Sequence, residues 1–500
     1  MENVGDVTGP QLPRSVVVTV VAVWIVLLTA THWGARSPYS YGWAILTNEP
    51  ENATHLSGAV VNPDSVPAKF VTLYFYTASP LDWPTSQNLK LPLHSFAASM
   101  AMAFTRSFLL ANYVANVVFA ILLALAAVSF ADRYDIRRSV ALVTLLTVFS
   151  LPLFVDYLGQ PLQYIVGACA SFLVMLAIVI REERNPWALG LAATILVLNY
   201  DPYIYLGALV GYVLFAVRFR RVREYAIFVL AAALPNVLWT QYLRLSSRGL
   251  MTKHLRKTFI EPVLEGWREM MDAPLENLIQ PFVASHIGVH VAMHQIVAIV
   301  YWPLIALCVF LLIRLRPRIE RGFVLVALLP LFLFLEQIAA AAWDWELNPR
   351  RAIPVMLTFA IAWAYSANRV WQQRGWRIAF VALMAMSMFL AMGDTLLKEP
   401  VLAYMRTGQA VRYDPHEPIR IENQRLEKTS LPKLMSDEKI EWRDIERARV
   451  ERWGAFAAGQ AIGLLLLVGL FWMCGRAGLF PRWSGLAALG VWVVSLVRFL

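Results

Sequence analysis

Beginning at Ser15 the chain reads SVVVTVVAVWIVLLTA, a stretch with no charge and no alternation of polar and apolar positions. Runs of the same kind recur near 15–31, 108–130, 139–155, 163–180, 187–200, 203–217, 224–240, 291–313, 322–341, 353–367, 378–393, 454–474 and 484–498. A half-buried strand alternates with period two and a surface helix carries a one-sided stripe; these runs are apolar all round. A hydrocarbon layer about 30 Å thick is crossed by about 20 such residues in helical form. The pattern therefore predicts an all-α polytopic membrane protein with about 13 transmembrane helices. The first run has Arg14 before it and no small-residue cleavage site after it, so it reads as a retained signal anchor.

The polar breaks between runs fall into two alternating sets. One set reads ADRYDIRRS, REERNP, RFRRVRE, RLRPRIER, NRVWQQRGWR and CGRAGLFPRW, and each break holds at least two arginines. Short loops rich in Lys and Arg stay on the cytoplasmic side. The other set then faces out: a long loop over about 32–107, the short turns DYLGQP and YDP, and long loops over about 241–290 and 394–452. The two short turns contain no Lys or Arg. This divides the chain into a transmembrane module over 1–393 with its long external loops, a polar external loop over 394–452 and a C-terminal transmembrane hairpin over 453–500.

Composition agrees with the pattern. Of 500 residues 58% are hydrophobic and 16% charged, whereas charged residues make up about a quarter of a soluble domain. The net charge of +10 sits in short clusters between apolar runs and forms no single face, which argues for topology signals and against nucleic acid. Cys169, Cys308 and Cys474 lie in or beside apolar runs without paired spacing, so neither a disulfide framework nor a metal knuckle is expected.

Several polar groups stand out against this background. In AAWDWELNPRRAIP, Arg350 and Arg351 lie outside, against the usual bias. Either they snorkel beside Trp343 and Trp345 at headgroup level, or they clamp an anionic headgroup through the planar guanidinium fork. Lys253, His254, Arg256 and Lys257 form a dense external cationic patch, suited to an amphipathic helix on anionic lipid or to docking a phosphate. His286, His290 and His294 share one helical face at i, i+4 and i+8, but no carboxylate or thiol completes a metal site there. Glu336 and Gln337 interrupt an apolar run, where a carboxylate serves an ion path, faces a cleft or is satisfied by a neighbouring helix. The loop over 394–452 is mixed in charge and expected to be part helical near its end, and the single NAT sequon at Asn52 decides nothing.

The layout resembles the C-type (GT-C fold) membrane glycosyltransferases over about the first 370 residues. The segment KLPLHSFAASMAMAFTRSFLLANYVANVVF is similar to that family's "HPPL" helix, leading through Arg106 into the second span. LPLFVDYLGQPLQY and LNYDPYIYLGAL put Asp156 and Asp201 where the family has external acids, and NPRRAIPVML is similar to its basic external turn. The acid that usually follows the first span closely is absent from HWGARSPYSYGWAILT; Glu49 and Glu51 are the first candidates.

The resemblance implies transfer of a sugar from a polyprenyl-phosphate donor to a lipid or glycan acceptor on the extracytoplasmic face, with inversion. Such chemistry needs a base at the acceptor hydroxyl, positive charge where phosphate leaves, and a site drier than open solvent. Asp156, Glu49, Glu51, Asp82 and Asp201 are the candidates for base; Arg350, Arg351, His254, Lys253, Arg256, Arg106, His286 and His290 are the candidates for substrate binding. Turn aspartates also occur because their side chains bond nearby backbone amides. No cofactor or metal site is marked by the residues, and a divalent ion, Mg or Mn, is compatible with the reaction. The expected partners are the lipid donor, the acceptor and membrane lipids, in a bacterial inner membrane. A lipid-linked glycan polymerase or ligase would share most of these features; a flippase or other transporter would tend to show internal repeats, and none is evident.

Overall fold

The structure, a computed structural model, describes residues 11–34, 92–105, 108–151, 154–155, 158, 164–198, 202–246, 322–342, 353–396, 418–421, 424–427 and 453–499. Thirteen α-helices occur among them: α1 (Arg14–Gly34), α2 (Pro92–Thr105), α3 (Phe108–Arg133), α4 (Arg138–Phe149), α5 (Tyr164–Arg181), α6 (Pro186–Val197), α7 (Pro202–Tyr212), α8 (Val222–Ser246), α9 (Phe323–Ala342), α10 (Ile353–Val370), α11 (Arg374–Leu396), α12 (Trp453–Arg476) and α13 (Ser484–Phe499). Twelve of the apolar runs coincide with helices, and the run near 291–313 lies outside the described residues. The thirteenth helix is α2, which precedes the second run.

By length and apolarity four segments can cross a bilayer unaided: Leu110–Arg133, Tyr164–Arg181, Val222–Trp239 and Phe456–Arg476. Arg14–Thr29, Arg138–Phe149, Pro186–Val197, Ile204–Val217 and Ser484–Arg498 are shorter apolar helices. The fold is that of a multi-pass membrane protein. Outward faces are as apolar as inward ones: on α1, Val16, Val20, Val23 and Leu27 form an exposed stripe at helical spacing.

Several runs end earlier than the hydropathy pattern alone suggests, each for a local reason. α4 stops at Phe149 with Ser150 as its C-cap, because Pro152 disfavours a helical residue before it. α6 begins cleanly because the Asn185 side chain accepts a hydrogen bond from the Trp187 amide at 2.9 Å and Pro186 occupies the first helical position. α7 ends in a π-turn over Val213–Val217, where the Arg218 amide donates to the Val213 carbonyl at 2.9 Å. Among the described residues the departure from an all-α fold is an antiparallel pair of strands, β1 (Pro418–Ile421) and β2 (Gln424–Glu427). IRIE and RLE, on either side of a polar turn, alternate apolar and polar positions, which favours strands over a helix.

α5 is the hub of the bundle. Its residues Tyr164 to Val179 are all buried, and α2, α3, α6, α9, α10 and α12 pack around it. Close approach depends on small residues, as is usual where lipid supplies no hydrophobic drive between helices. A Cβ on Gly190 of α6 would fall 2.3 Å from the Ala231 Cβ of α8, and one on Gly207 of α7 would fall 2.2 Å from the Phe332 ring of α9. The Thr194 hydroxyl adds a 2.7 Å hydrogen bond to the Ala231 carbonyl across the α6–α8 seam. The C-terminal hairpin α12–α13 packs on α2, and α12 also on α5 and α6, so it completes the bundle.

The arginine-rich breaks converge at one end. Asn368, at the end of α10, accepts from the Arg137 amide at 3.0 Å and donates to the Asp135 carbonyl at 3.1 Å. Ser129 near the end of α3 donates to the Leu479 carbonyl at 2.9 Å, in the α12–α13 turn. Arg14 at the start of α1 reaches the same Ser129 hydroxyl, and Arg138 reaches the Leu12 carbonyl at 3.2 Å. Arg181 donates to the Arg476 carbonyl at 3.0 Å, and the Tyr212 hydroxyl donates to the Glu183 carbonyl at 3.3 Å. Gly322, which opens α9, lies so near Val179 that a Cβ there would stand 2.6 Å from its carbonyl oxygen. Among the described residues four turns, α3–α4, α5–α6, α10–α11 and α12–α13, are thus knitted into one layer, with the start of α1 and the end of α7 bonded to it. Exposed Trp187 and Trp483 border it, the position an interfacial aromatic belt takes.

Candidate functional site

Two polar constellations are built into the described residues. The first lies in the arginine layer. Glu183 is nearly buried, and its carboxylate faces Arg476 at 3.5 Å and Arg181 at 3.7 Å. The same side chain accepts from the Arg184 and Asn185 amides at 3.2 and 3.0 Å. Arg476 in turn lies over the Trp472 ring, 4.7 Å from its centroid. Ala177, Ile178, Ala188 and Met473 line a small cleft beside this cluster. Both carboxylate oxygens of Glu183 are engaged, so the cluster locks the α5–α6 turn to the end of α12.

The second constellation involves α2 and α3. α2 enters the bundle from the end opposite the arginines. Phe104, near its C-terminus, lies beneath the Arg498 guanidinium at 5.1 Å, close to the last residue of α13. Eight residues earlier, about 12 Å at 1.5 Å per residue, Phe96 presses on Gly463 near the middle of α12, where a Cβ would fall 2.2 Å from its ring. The N-terminus of α2 therefore lies inside the bundle, with Pro92, Leu93, His94, Ser95 and Phe96 all buried.

His94 is 1% exposed, and neither ring nitrogen has a hydrogen-bonding partner of good geometry among the described residues. The Asn112 side chain of α3 is the polar neighbour of the ring. On α3, Asn112 and Asn116 are fully buried one helical turn apart. The Asn116 side-chain amide donates to the Leu158 carbonyl at 3.3 Å, tying α3 to the turn between α4 and α5.

Asp156, Glu49, Glu51, Asp82, Asp201, Arg350, Arg351, His254, Lys253, Arg256, Arg106, His286 and His290 all lie outside the described residues. Val155 and Leu158 flank Asp156 along the chain, and the Asn116 bond is to Leu158, two residues away. Glu336 and Gln337 fall within α9, about 20 Å along the axis from Phe323 at 1.5 Å per residue. They belong to the half of α9 far from the arginine layer. Cys169 and Cys474 are buried free thiols, and Cys308 lies outside the described residues. No group of three or more His, Cys, Asp or Glu positioned for a metal occurs among the described residues.

Sequence reasoning passed over His94, Asn112 and Asn116 as functional residues. The available signal was NYVAN, two asparagines four apart inside an apolar run, close after the one histidine of LPLHS. An intramembrane polar side chain is costly and faces a partner or cavity.

No family model, curated protein or solved structure matches this chain. Fold and composition define its class, a multi-pass membrane protein with its arginine-rich turns gathered on one face.

Proposed function

We propose that this protein is a membrane glycosyltransferase that moves a sugar from a polyprenyl-phosphate donor to a lipid or glycan acceptor, with inversion, on the extracytoplasmic side of a bacterial inner membrane. The observation that carries the reading is segregation. Arginine-rich turns are bonded together at one end of the bundle, while the buried polar side chains of α2 and α3 lie toward the other. The positive-inside rule makes the arginine end cytoplasmic, and the long loops that carry the candidate acids and the NPRR turn then face outward. In this reading Asp156 or a first-loop acid, Glu49, Glu51 or Asp82, takes the acceptor proton. Arg350 and Arg351 stabilise the phosphate as it leaves, with His254 in support and Asp201 close to the acceptor. About 13 spans in a GT-C-like arrangement complete the architecture.

A charge clamp on the leaving phosphate contributes about 3–4 kcal/mol, or a rate factor of roughly a hundred to a thousand. Arg350→Gln combined with Arg351→Gln is therefore expected to lower transfer by at least about a hundredfold while membrane insertion is unchanged. Asp156→Asn should stop transfer and spare donor binding. Full activity of the arginine pair variant would remove the clamp, and an unaltered rate in Asp156→Asn would move the base to a first-loop acid.

A second reading is favoured by α2 itself. A helix that ends inside the bundle is the device by which transporters hold anionic groups near the middle of the membrane. A lipid-linked sugar flippase would relocate the donor without changing it.

A further inference from the structure

The α5–α6 and α12–α13 turns bring four arginines, Arg181, Arg184, Arg476 and Arg482, against two glutamates, Glu182 and Glu183. The turns are neighbours in space: Arg181 donates to the Arg476 carbonyl at 3.0 Å, and a Cβ on Gly475 would lie 3.7 Å from the Arg482 Cα. Glu183 does not use up this charge. Its Oε1 accepts from two backbone amides, and its Oε2 stands 3.5 Å from Arg476 and 3.7 Å from Arg181. Both distances exceed the roughly 2.7–2.9 Å of a charge-assisted hydrogen bond. Two guanidinium forks thus share one carboxylate oxygen at long range, and their side chains remain 42% and 31% exposed for Arg181 and Arg476. The surroundings are amphipathic. Trp187, Trp472 and Trp483 are exposed on or beside the same turns, with Arg476 held over the Trp472 ring. Ala177, Ile178 and Met473, one helical turn before the two arginines, floor the small cleft between α5, α6 and α12 on its bilayer side.

We propose that this cleft, with Arg181 and Arg476 as its paired donors, holds the phosphate of an anionic phospholipid at the arginine end of the bundle. The guanidinium fork matches phosphate in two-point geometry, and basic pockets between spans on the cytoplasmic side suit anionic headgroups. The order of chemistry is that of a lipid: charge outermost, indoles at headgroup level, hydrocarbon beneath. A soluble anion would have no use for the exposed rings. A zwitterionic lipid would bring an ammonium group toward Arg184 and Arg482, where positive charge is already in excess. Bound there, the headgroup fastens α5, α6 and α12 together at the point where Glu183 already joins them. The site lies at the end opposite the proposed sugar transfer and does not rest on it.

The test uses the purified full-length chain in a neutral detergent and thermal unfolding with three probes: phosphatidylglycerol, phosphatidylethanolamine with the same acyl chains, and inorganic phosphate. Wild type is expected to gain several degrees in Tm with phosphatidylglycerol and little with the other two. Equal gains with the two lipids, no gain with either, or an equal gain with inorganic phosphate overturn the proposal without recourse to any variant. Arg476→Gln alone would leave the Glu183 carboxylate short of a partner, so it is made together with Glu183→Gln. Glu183→Gln by itself starts from a lower Tm, yet it frees both guanidinium groups and should keep or enlarge the gain from phosphatidylglycerol. Adding Arg476→Gln should weaken lipid binding roughly fivefold, and adding Arg181→Gln by about as much again. Arg220 and Arg221, exposed on the α7–α8 turn, lie outside the cleft lining, and changing both to Gln should leave the gain intact. An equal loss from that remote pair would reduce the effect to diffuse surface charge. An undiminished gain when Glu183, Arg476 and Arg181 are all Gln would place the lipid elsewhere, and either result overturns the site.

Discussion

At the scale of single residues, Glu183 ties turns together: it holds Arg181 of its own turn and Arg476 at the end of α12. Glu183→Gln is expected to lose about 2 kcal/mol and to lower Tm by several degrees at neutral pH. Glu183 is not legible as special in the sequence, where it is one more charge in an arginine-rich break, because its partner Arg476 lies far along the chain and only long-range packing brings the two together.

At the scale of elements, hydropathy alone located nearly all the described helices, because an apolar run has one way to satisfy its backbone in lipid. It could not fix where a helix stops. Ser150 and Pro152 end α4, a π-turn ends α7, and the alternation in IRIE and RLE gives a strand pair. The depth of α2 was also not legible, since its immersion depends on Gly463 admitting Phe96. Seams of this kind make firm predictions. Gly190→Val should force α6 and α8 apart and cost about 1–3 kcal/mol. Gly190→Ala paired with Ala231→Gly should recover most of what Gly190→Ala alone loses, as read by Tm in detergent. Lack of recovery would mean that the two helices do not meet at this pair. Gly463→Leu should displace Phe96 and with it α2, read as a lower Tm in detergent.

At the scale of the whole molecule, the knitted arginine layer sets the sidedness from which every functional statement follows. Single cysteines placed at Arg138, Arg184 and Arg374, in a background with the native thiols replaced, should resist a membrane-impermeant thiol reagent applied to intact cells. Cysteines at Glu49, Lys253 and Arg350 should react. Labelling of the first group would invert the topology and put the candidate acids in the cytoplasm. Sugar transfer itself is assayed by following the label. Purified protein in proteoliposomes is supplied with a polyprenyl-phosphate sugar carrying a radiolabel, together with candidate glycolipid acceptors, and the lipids are separated after incubation. The account predicts label on the acceptor, with inverted anomeric configuration and polyprenyl phosphate released in equal amount. Label that crosses the bilayer still attached to its original carrier would contradict it and identify a transporter.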